Sequence, residues 1–522
     1  MKNQVFSRPG CPRQFNRREF ISSCAVCTLG LAGLPLVRLQ NSYFPAPGKK
    51  MRLHVIYSLH AEKQDRPDWP NLNFEFGPVM EKMNKLLQSR CSEFEFHSFM
   101  ANGPEKAGDI LQADQAENVG GYIVFQMNCW NQVINTFVNS GKPVLYADFQ
   151  FGGSGGFLVY TAGFLRVRTP NIGFVASSDI NELIDSVKCF NIIRQGGNTA
   201  DFVNGVKKIR LEKNSAPLNT SCKTDNLQVL SPDDCLNKLK ESRILAVRDE
   251  KAASGESVMG IPVEYIPFNV VNEAWEAAED EKALQLVDHW RETANRIVDV
   301  PEETLLDSAS MYLGMKSVLE KYKANAITIN CLGGFYGGHI HAYPCLGFHE
   351  LNNEGLVGGC ECDVNSAATM LIFSTLTRGR PGYISDPVID TGKHQIIYAH
   401  CVASTKSFGP DGPEGQFDIM THSEDRQGAS VRSYLPLYYM TTSLQVSQGR
   451  KEILMHQAKA VGNDPDDRAC RTKLCAEPLG NMEKLFTMWD QWGWHRVTFY
   501  GDLKQHVYSL ADKIGWKVVE EA

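Results

Sequence analysis

From Met51 onward, short apolar runs of strand length alternate with segments of helical periodicity, a pattern that few architectures can absorb. Arg52-Leu53-His54-Val55-Ile56-Tyr57 reads as a first strand, Phe76 to Leu87 as a helix and Glu93-Phe94-Glu95-Phe96 as a short second strand. Gly121-Tyr122-Ile123-Val124-Phe125 and Pro143-Val144-Leu145-Tyr146 follow, separated by an amphipathic segment from Asn131 to Val138. Such alternation implies a parallel sheet covered by helices on both faces. A second α/β unit is expected from Asn171-Ile172-Gly173-Phe174-Val175-Ala176, with strands at 243–247 and 263–266 and one long charged helix from about Glu273 to Ile297. The polar stretch Leu211 to Lys240 reads as a surface excursion. The glycine-rich run 151–157 lacks the Gly-Lys-Ser/Thr ending of a phosphate loop and the spacing of a dinucleotide fingerprint. It is read as a tight, substrate-facing turn.

In the last third of the chain, four residues with metal-binding side chains sit at the ends of strand-like runs. Glu361 lies in the turn Gly358-Gly359-Cys360-Glu361-Cys362-Asp363, ahead of a helix from Val364 to Leu376. Asp386 follows a Gly-Arg-Pro turn, His400 closes the run Gln395-Ile396-Ile397-Tyr398-Ala399, and His495 opens Arg496-Val497-Thr498-Phe499-Tyr500. Each alone has an ordinary reading, an acid in a turn being a helix cap or solvated and a histidine beside a strand a core residue. Together, carboxylates and imidazoles suit manganese, zinc or iron, whereas an all-oxygen set would suit calcium or magnesium. A cation with open positions could grip two neighbouring sugar oxygens. His339 and His341 flank a glycine-rich loop and would share one side of a strand; they are read as substrate contacts. His422 is a candidate for a substrate hydroxyl and Trp494 for stacking on an apolar substrate face, with an exposed loop residue and a core aromatic as the respective alternatives.

At these residues the chain resembles the L-fucose isomerase and L-arabinose isomerase superfamily. Glu361-Cys362-Asp363 is similar to the family's Glu-Gly-Asp turn, with Cys362 where glycine is usual, so a position that often takes a positive φ carries a side chain. Asp386 resembles the second acidic ligand, His400-Cys401 the strand-end histidine, and His495 with the strand to Tyr500 and Gly501-Asp502 the late histidine. Ser308-Ala309-Ser310-Met311-Tyr312-Leu313-Gly314 and Ala326-Ile327-Thr328-Ile329-Asn330-Cys331 extend the likeness upstream.

The resemblance implies an α/β chain of two Rossmann-like parallel-sheet domains, at 49–170 and 171–335, and a C-terminal α/β to β-rich isomerase domain at 336–522. It implies a divalent cation, foremost Mn(II), held by Glu361, Asp386, His400 and His495, with one of the histidines orienting substrate in some branches. Glu361 and Asp386 would be the catalytic acids of an aldose-ketose isomerase acting on a fucose- or arabinose-like monosaccharide through an enediolate, one removing a proton and the other returning it. A trimer or hexamer is expected on the same ground. Two alternatives keep the scaffold: a non-catalytic carbohydrate-binding or sensing protein, and another metal-dependent sugar enzyme such as an epimerase or lyase.

Residues 1–48 read as a signal and linker. Asn16-Arg17-Arg18-Glu19-Phe20-Ile21-Ser22 is a twin-arginine motif ahead of an uncharged run from Ile21 to Val37, which predicts export of a folded protein by the twin-arginine translocase. The expected location is periplasmic or otherwise extracytoplasmic, with an uncleaved segment as a potential anchor. A net charge of −7 without a basic stripe argues against nucleic-acid binding. The absence of a Lys/Arg cluster beside the four ligands points to an uncharged sugar. Fifteen cysteines show no disulfide framework, and the spacings of Cys331, Cys345, Cys360 and Cys362 fit no common zinc module. Buried, inert thiols are expected.

Overall fold

The computed structural model describes residues 50–522 except 215, 218 and 249–252. The twin-arginine segment lies outside the described residues. Among those described, no helix is long and apolar enough to cross a membrane.

The first sheet has five strands in the order β2-β1-β3-β4-β5: β1 Met51–Ser58, β2 Phe94–Ala101, β3 Val119–Gln126, β4 Val144–Asp148 and β5 Ile172–Val175. All its neighbours run parallel. Near-continuous burial of β1, β3 and β4 follows from helices covering both faces, as parallel sheets require. The strand Ile172–Val175, expected to open the second unit, pairs with β4 and is the edge of the first sheet. The 151–157 run is not a substrate-facing turn. It leads into the buried helix Ser154–Arg166, and a Cβ on Gly153 would lie 1.9 Å from the Gln126 carbonyl oxygen, so glycine here permits close backbone packing.

The second sheet runs β11-β10-β6-β8-β7, built from β6 Ile244–Val247, β7 Ala253–Ser254, β8 Val263–Ile266, β10 Ala326–Ile329 and β11 Val357–Gly359. Only β7 is antiparallel to its neighbour. The single charged helix expected at 273–297 is instead two helices, Phe268–Glu276 and Asp280–Thr293, followed by β9 Arg296–Val298. That strand joins β14 Phe417–Met420 and β15 Ser430–Ser433 in a small separate sheet. The 211–240 stretch is not a free excursion. Leu227, Val229 and Leu230 pack on the main core, Leu230 N–H donates to the Leu376 carbonyl, and Pro232–Leu239 is helical.

The C-terminal strands are β12 Tyr383–Asp390, β13 Gln395–His400, β16 Met440–Ser447, β17 Glu452–Asn463, β18 Thr472–Pro478, β19 Arg496–Tyr500 and β20 Lys517–Glu520. They form one sheet in the order β16-β19-β12-β13-β18-β17-β20, and β16 also pairs with β17, so the antiparallel strands close into a barrel with β20 attached outside the ring. Closure removes exposed edges. One apolar core joins the second sheet, the helix Val364–Leu376 and the barrel. A smaller cluster, including Trp69, Phe151, Val388, Ile397 and Cys401 with Trp494 packed on it, ties loops of the first sheet to the barrel. The expected α/β class with a β-rich C-terminal part is the observed one.

Candidate metal centre

The parallel strand β11 ends at Gly359, and the chain then turns through Cys360-Glu361-Cys362-Asp363 into the helix Val364–Leu376. Glu361 thus stands beyond the carboxyl end of a parallel sheet, where α/β folds place their ligands. Glu361 and Cys362 both have left-handed backbones, φ 61° and 53°. The unusual conformation is pinned by Cys362 N–H donating to Ile329 O at 2.9 Å and by Asp363 capping the helix through the Ser366 N–H.

The other three side chains come from neighbouring barrel strands, Asp386 within β12, His400 at the end of β13 and His495 immediately ahead of β19. Ser385 pairs with Arg496 in β19, and continuing that register by one residue puts His495 opposite Asp386. His400 is the last residue of β13, paired with Thr472 of β18. One donor atom from each of Glu361, Asp386, His400 and His495 lies within 4.8 Å of all the others. His495 Nε2 is 3.0 Å from Asp386 Oδ1 and 3.5 Å from Glu361 Oε2, while His400 Nε2 is 3.9 Å from Glu361 Oε1 and 4.0 Å from Asp386 Oδ2. Two donors on a shared cation with bonds of about 2.1 Å sit about 3–3.5 Å apart, so modest closure would satisfy a metal. Two carboxylates brought this close together beside a buried imidazole repel each other unless positive charge lies between them. The residues present therefore fit a divalent cation, with a donor set of imidazole and carboxylate that suits Mn(II), Zn(II) or Fe(II).

The two histidines are not equivalent. His495 Nδ1 bonds Asp363 Oδ2 at 2.9 Å, so the ring donates there and presents the Nε2 lone pair to the cluster. Burial pushes the His495 imidazole down, yet Glu361, Asp386 and the Asp363 hydrogen bond together carry it well above its ordinary value. A bound cation would take the place of that proton. In His400 the Nδ1 instead accepts the Cys401 N–H at 3.0 Å. The neutral ring then carries its proton on Nε2 and faces the cluster as a donor.

Around this centre lie residues that sequence reasoning missed. Asp363 is one, although its place two residues after Glu361 and beside a histidine is a readable signal. Tyr336 Oη donates to Glu424 Oε2 at 2.8 Å. Burial pushes Glu424 up to about 8, against the lowering effect of His422 and with Asp68 and Glu361 adding to the rise. No sequence pattern marks either residue. His422 is buried beside Phe335 and Tyr343 with Nδ1 on Asp425 at 3.0 Å. Burial lowers the His422 imidazole, but Asp425, Cys401 and Glu424 outweigh that and raise it to about 9. Trp494 packs edge-on against Trp69, Trp130 and Trp489. His339 and His341 are not in a strand. They follow the short helix Cys331–Gly337, are exposed, and their rings contact Phe268 and Trp275 of a neighbouring helix instead of the cluster.

The described cysteines are buried apart from Cys222 and Cys362. Cys331 and Cys360 share a side-chain hydrogen bond, as do Cys401 and Cys470. They line the centre without joining it.

No family model matches the chain. It is similar to the sulfoquinovose isomerase of Clostridium sp. (strain MSTE9), 24% identical over 262 residues that make up 47% of this chain and 57% of that one. It is also similar to the sulfoquinovose isomerases of Priestia aryabhattai, 27% identical over 107 residues (20% of this chain, 24% of that one), and Alkalicoccus urumqiensis, 25% over 116 residues (22% and 26%). The chain thus spans less than two thirds of the length of these relatives.

Proposed function

We propose that the protein is a metal-dependent aldose-ketose isomerase of a monosaccharide, related to the fucose and arabinose isomerases. The observation that carries this reading is the convergence of Glu361, Asp386 and His495 on one point, with His495 Nε2 3.0 Å from Asp386 Oδ1 and 3.5 Å from Glu361 Oε2. Similarity to sulfoquinovose isomerases supports it. Glu361, Asp386 and His495 hold the cation, Mn(II) foremost, and His400 Nε2–H faces an oxygen of the open-chain sugar. When bound, the cation supplies Lewis-acid polarisation of two neighbouring sugar oxygens.

The protein's own groups do the rest. Glu361 is the accessible acid, with a side chain 26% exposed against 7% for Asp386. It takes the proton from C2 of the aldose. Asp386, fixed in the barrel wall, handles the return of a proton at C1. Asp363 keeps His495 in one tautomer, and the tryptophans around Trp494 form an apolar wall beside the reacting carbons. Tyr336, Glu424 and His422 offer hydroxyl contacts at the rim.

The names of the relatives put a sulfonated aldose first among substrates to test. An uncharged, fucose- or arabinose-like sugar is the alternative. Proton NMR of deuterium uptake at C1 and C2, over a panel holding both kinds, ranks them and separates isomerisation from epimerisation or lysis by product. Glu361→Gln is expected to remain folded and to lower exchange by a factor of about 10²–10⁴. Unchanged exchange in that variant would remove Glu361 from its role. Bound metal with no exchange in any sugar would favour a carbohydrate-binding protein. Twin-arginine export to an extracytoplasmic location and a trimeric or hexameric assembly are parts of the same proposal; the first rests on residues 16–37 and the second on the family resemblance.

A further inference from the structure

A second cluster of ligand-type side chains lies on the first sheet. His54 of β1 and His97 of β2 are register partners, so their side chains stand next to each other on one face, and Glu117 joins them from the loop before β3. One donor atom from each of the three lies within 4.8 Å of the others.

His54 is 1% exposed, and its Nε2 makes no hydrogen bond. Its Nδ1 is bonded to Asp114, at 3.2 Å to Oδ2, and the same oxygen accepts the Tyr122 hydroxyl at 3.0 Å. Asp114 therefore fixes the tautomer and leaves the Nε2 lone pair pointing into the cluster, 3.8 Å from Glu117 Oε2. His97 repeats the pattern, with Nε2 on Glu95 Oε1 at 2.8 Å, so one nitrogen of each ring is taken by a carboxylate and the other is left over. Carboxylate-supported imidazole is the arrangement of metal-bound histidines. Burial keeps the His54 imidazole below its ordinary value and hence neutral, as a ligand must be.

The surrounding charges favour a cation. Glu95, Asp114 and Glu117 face Arg52, which bonds both glutamates, and Lys142, whose charge acts on Asp114. Three carboxylates against two cations leave net negative charge for a divalent ion. Arg52 holds Glu117 at 2.6 Å without using its other oxygen. We propose that His54, His97 and Glu117 form a second divalent-metal site, sharing no residue with the Glu361 cluster and suited by two imidazoles and a carboxylate to Zn(II) with a water completing the shell.

Zn(II) titration of the metal-stripped full chain against a chromophoric chelator tests this, in the wild type, His97→Ala, Asp386→Asn and the double variant. His97 is partly exposed on the edge strand, and circular dichroism checks the fold. Glu117→Gln provides a second, milder variant. Each protein is expected to bind one equivalent more than its His97→Ala counterpart, or to bind that equivalent at least about 100-fold more tightly, with Glu117→Gln intermediate. Equal stoichiometry and affinity within both pairs would overturn the proposal. Because the comparison is within pairs, its outcome does not depend on whether Asp386 holds metal.

Discussion

His400 and His495 show how much a single hydrogen bond decides. Their ring centroids are 5.7 Å apart and both meet the same two carboxylates, yet one ring is turned by Asp363 and the other by the Cys401 backbone. His495→Asn is expected to weaken metal binding by at least about 100-fold, whereas His400→Asn should keep the metal within a fewfold and lose turnover. Isothermal titration paired with the exchange assay separates the two; equal loss of metal in both variants would make His400 a ligand as well. The sequence placed all four residues at strand ends and turns because those signals are local, and the family resemblance singled them out as a set. It could not show which nitrogen of each ring faces the cluster, since the partners Asp363 and the Cys401 N–H act through geometry. Glu424 and Tyr336 stayed hidden for the same reason, their contact being made only when distant segments meet.

Among the elements, β19 begins directly after His495 and is anchored from behind by Arg496. The Arg496 guanidinium lies 3.9 Å over the Trp489 ring and bonds Glu521, with Nε at 3.0 Å from Oε2, while Glu521 also accepts from His456 Nδ1 at 3.0 Å. These three side chains are fully buried. Burial alone would raise the Glu521 carboxyl, but Arg496 and His456 outweigh it and hold it at about 2. A depressed carboxylate stabilises the fold above its unfolded value and loses that contribution as pH falls through the folded one. Chemical denaturation should therefore show about 3 kcal/mol lost between pH 4.5 and 2 through this group. Glu521→Gln should flatten that stretch and, by leaving Arg496 buried and unpaired, cost about 3–5 kcal/mol at neutral pH. A slope unchanged in the variant would assign the acid sensitivity elsewhere. Strand and helix positions in the first sheet were legible from periodicity. The break in the 273–297 helix was not, because Ala277-Ala278-Glu279 contains no glycine or proline and the second helix is set by packing of Val287 and Trp290 in their own cluster.

For the molecule as a whole, the sequence pointed to parallel sheets and a β-rich end, while the pairing of strands across long separations was beyond it. Ile172–Val175 is equally apolar whether it begins one sheet or ends another; β4 next to it decides. Barrel closure rests on β16 meeting both β17 and β19, and no local pattern encodes that. The consequence for function is positional: the carboxyl end of the second sheet supplies Glu361, the barrel wall supplies Asp386, His400 and His495, and loops of the first sheet bring Trp69 and Trp130 alongside. Metal binding to this junction should stabilise the whole fold, by about 2.7 kcal/mol at a concentration 100 times Kd. The most direct measurement is an electron paramagnetic resonance titration of metal-stripped protein with Mn(II), following loss of the free-ion signal. One equivalent more taken up by the wild type than by Asp386→Asn at the same concentrations is the predicted result, and a wild-type protein that takes up no more Mn(II) than Asp386→Asn would contradict the account.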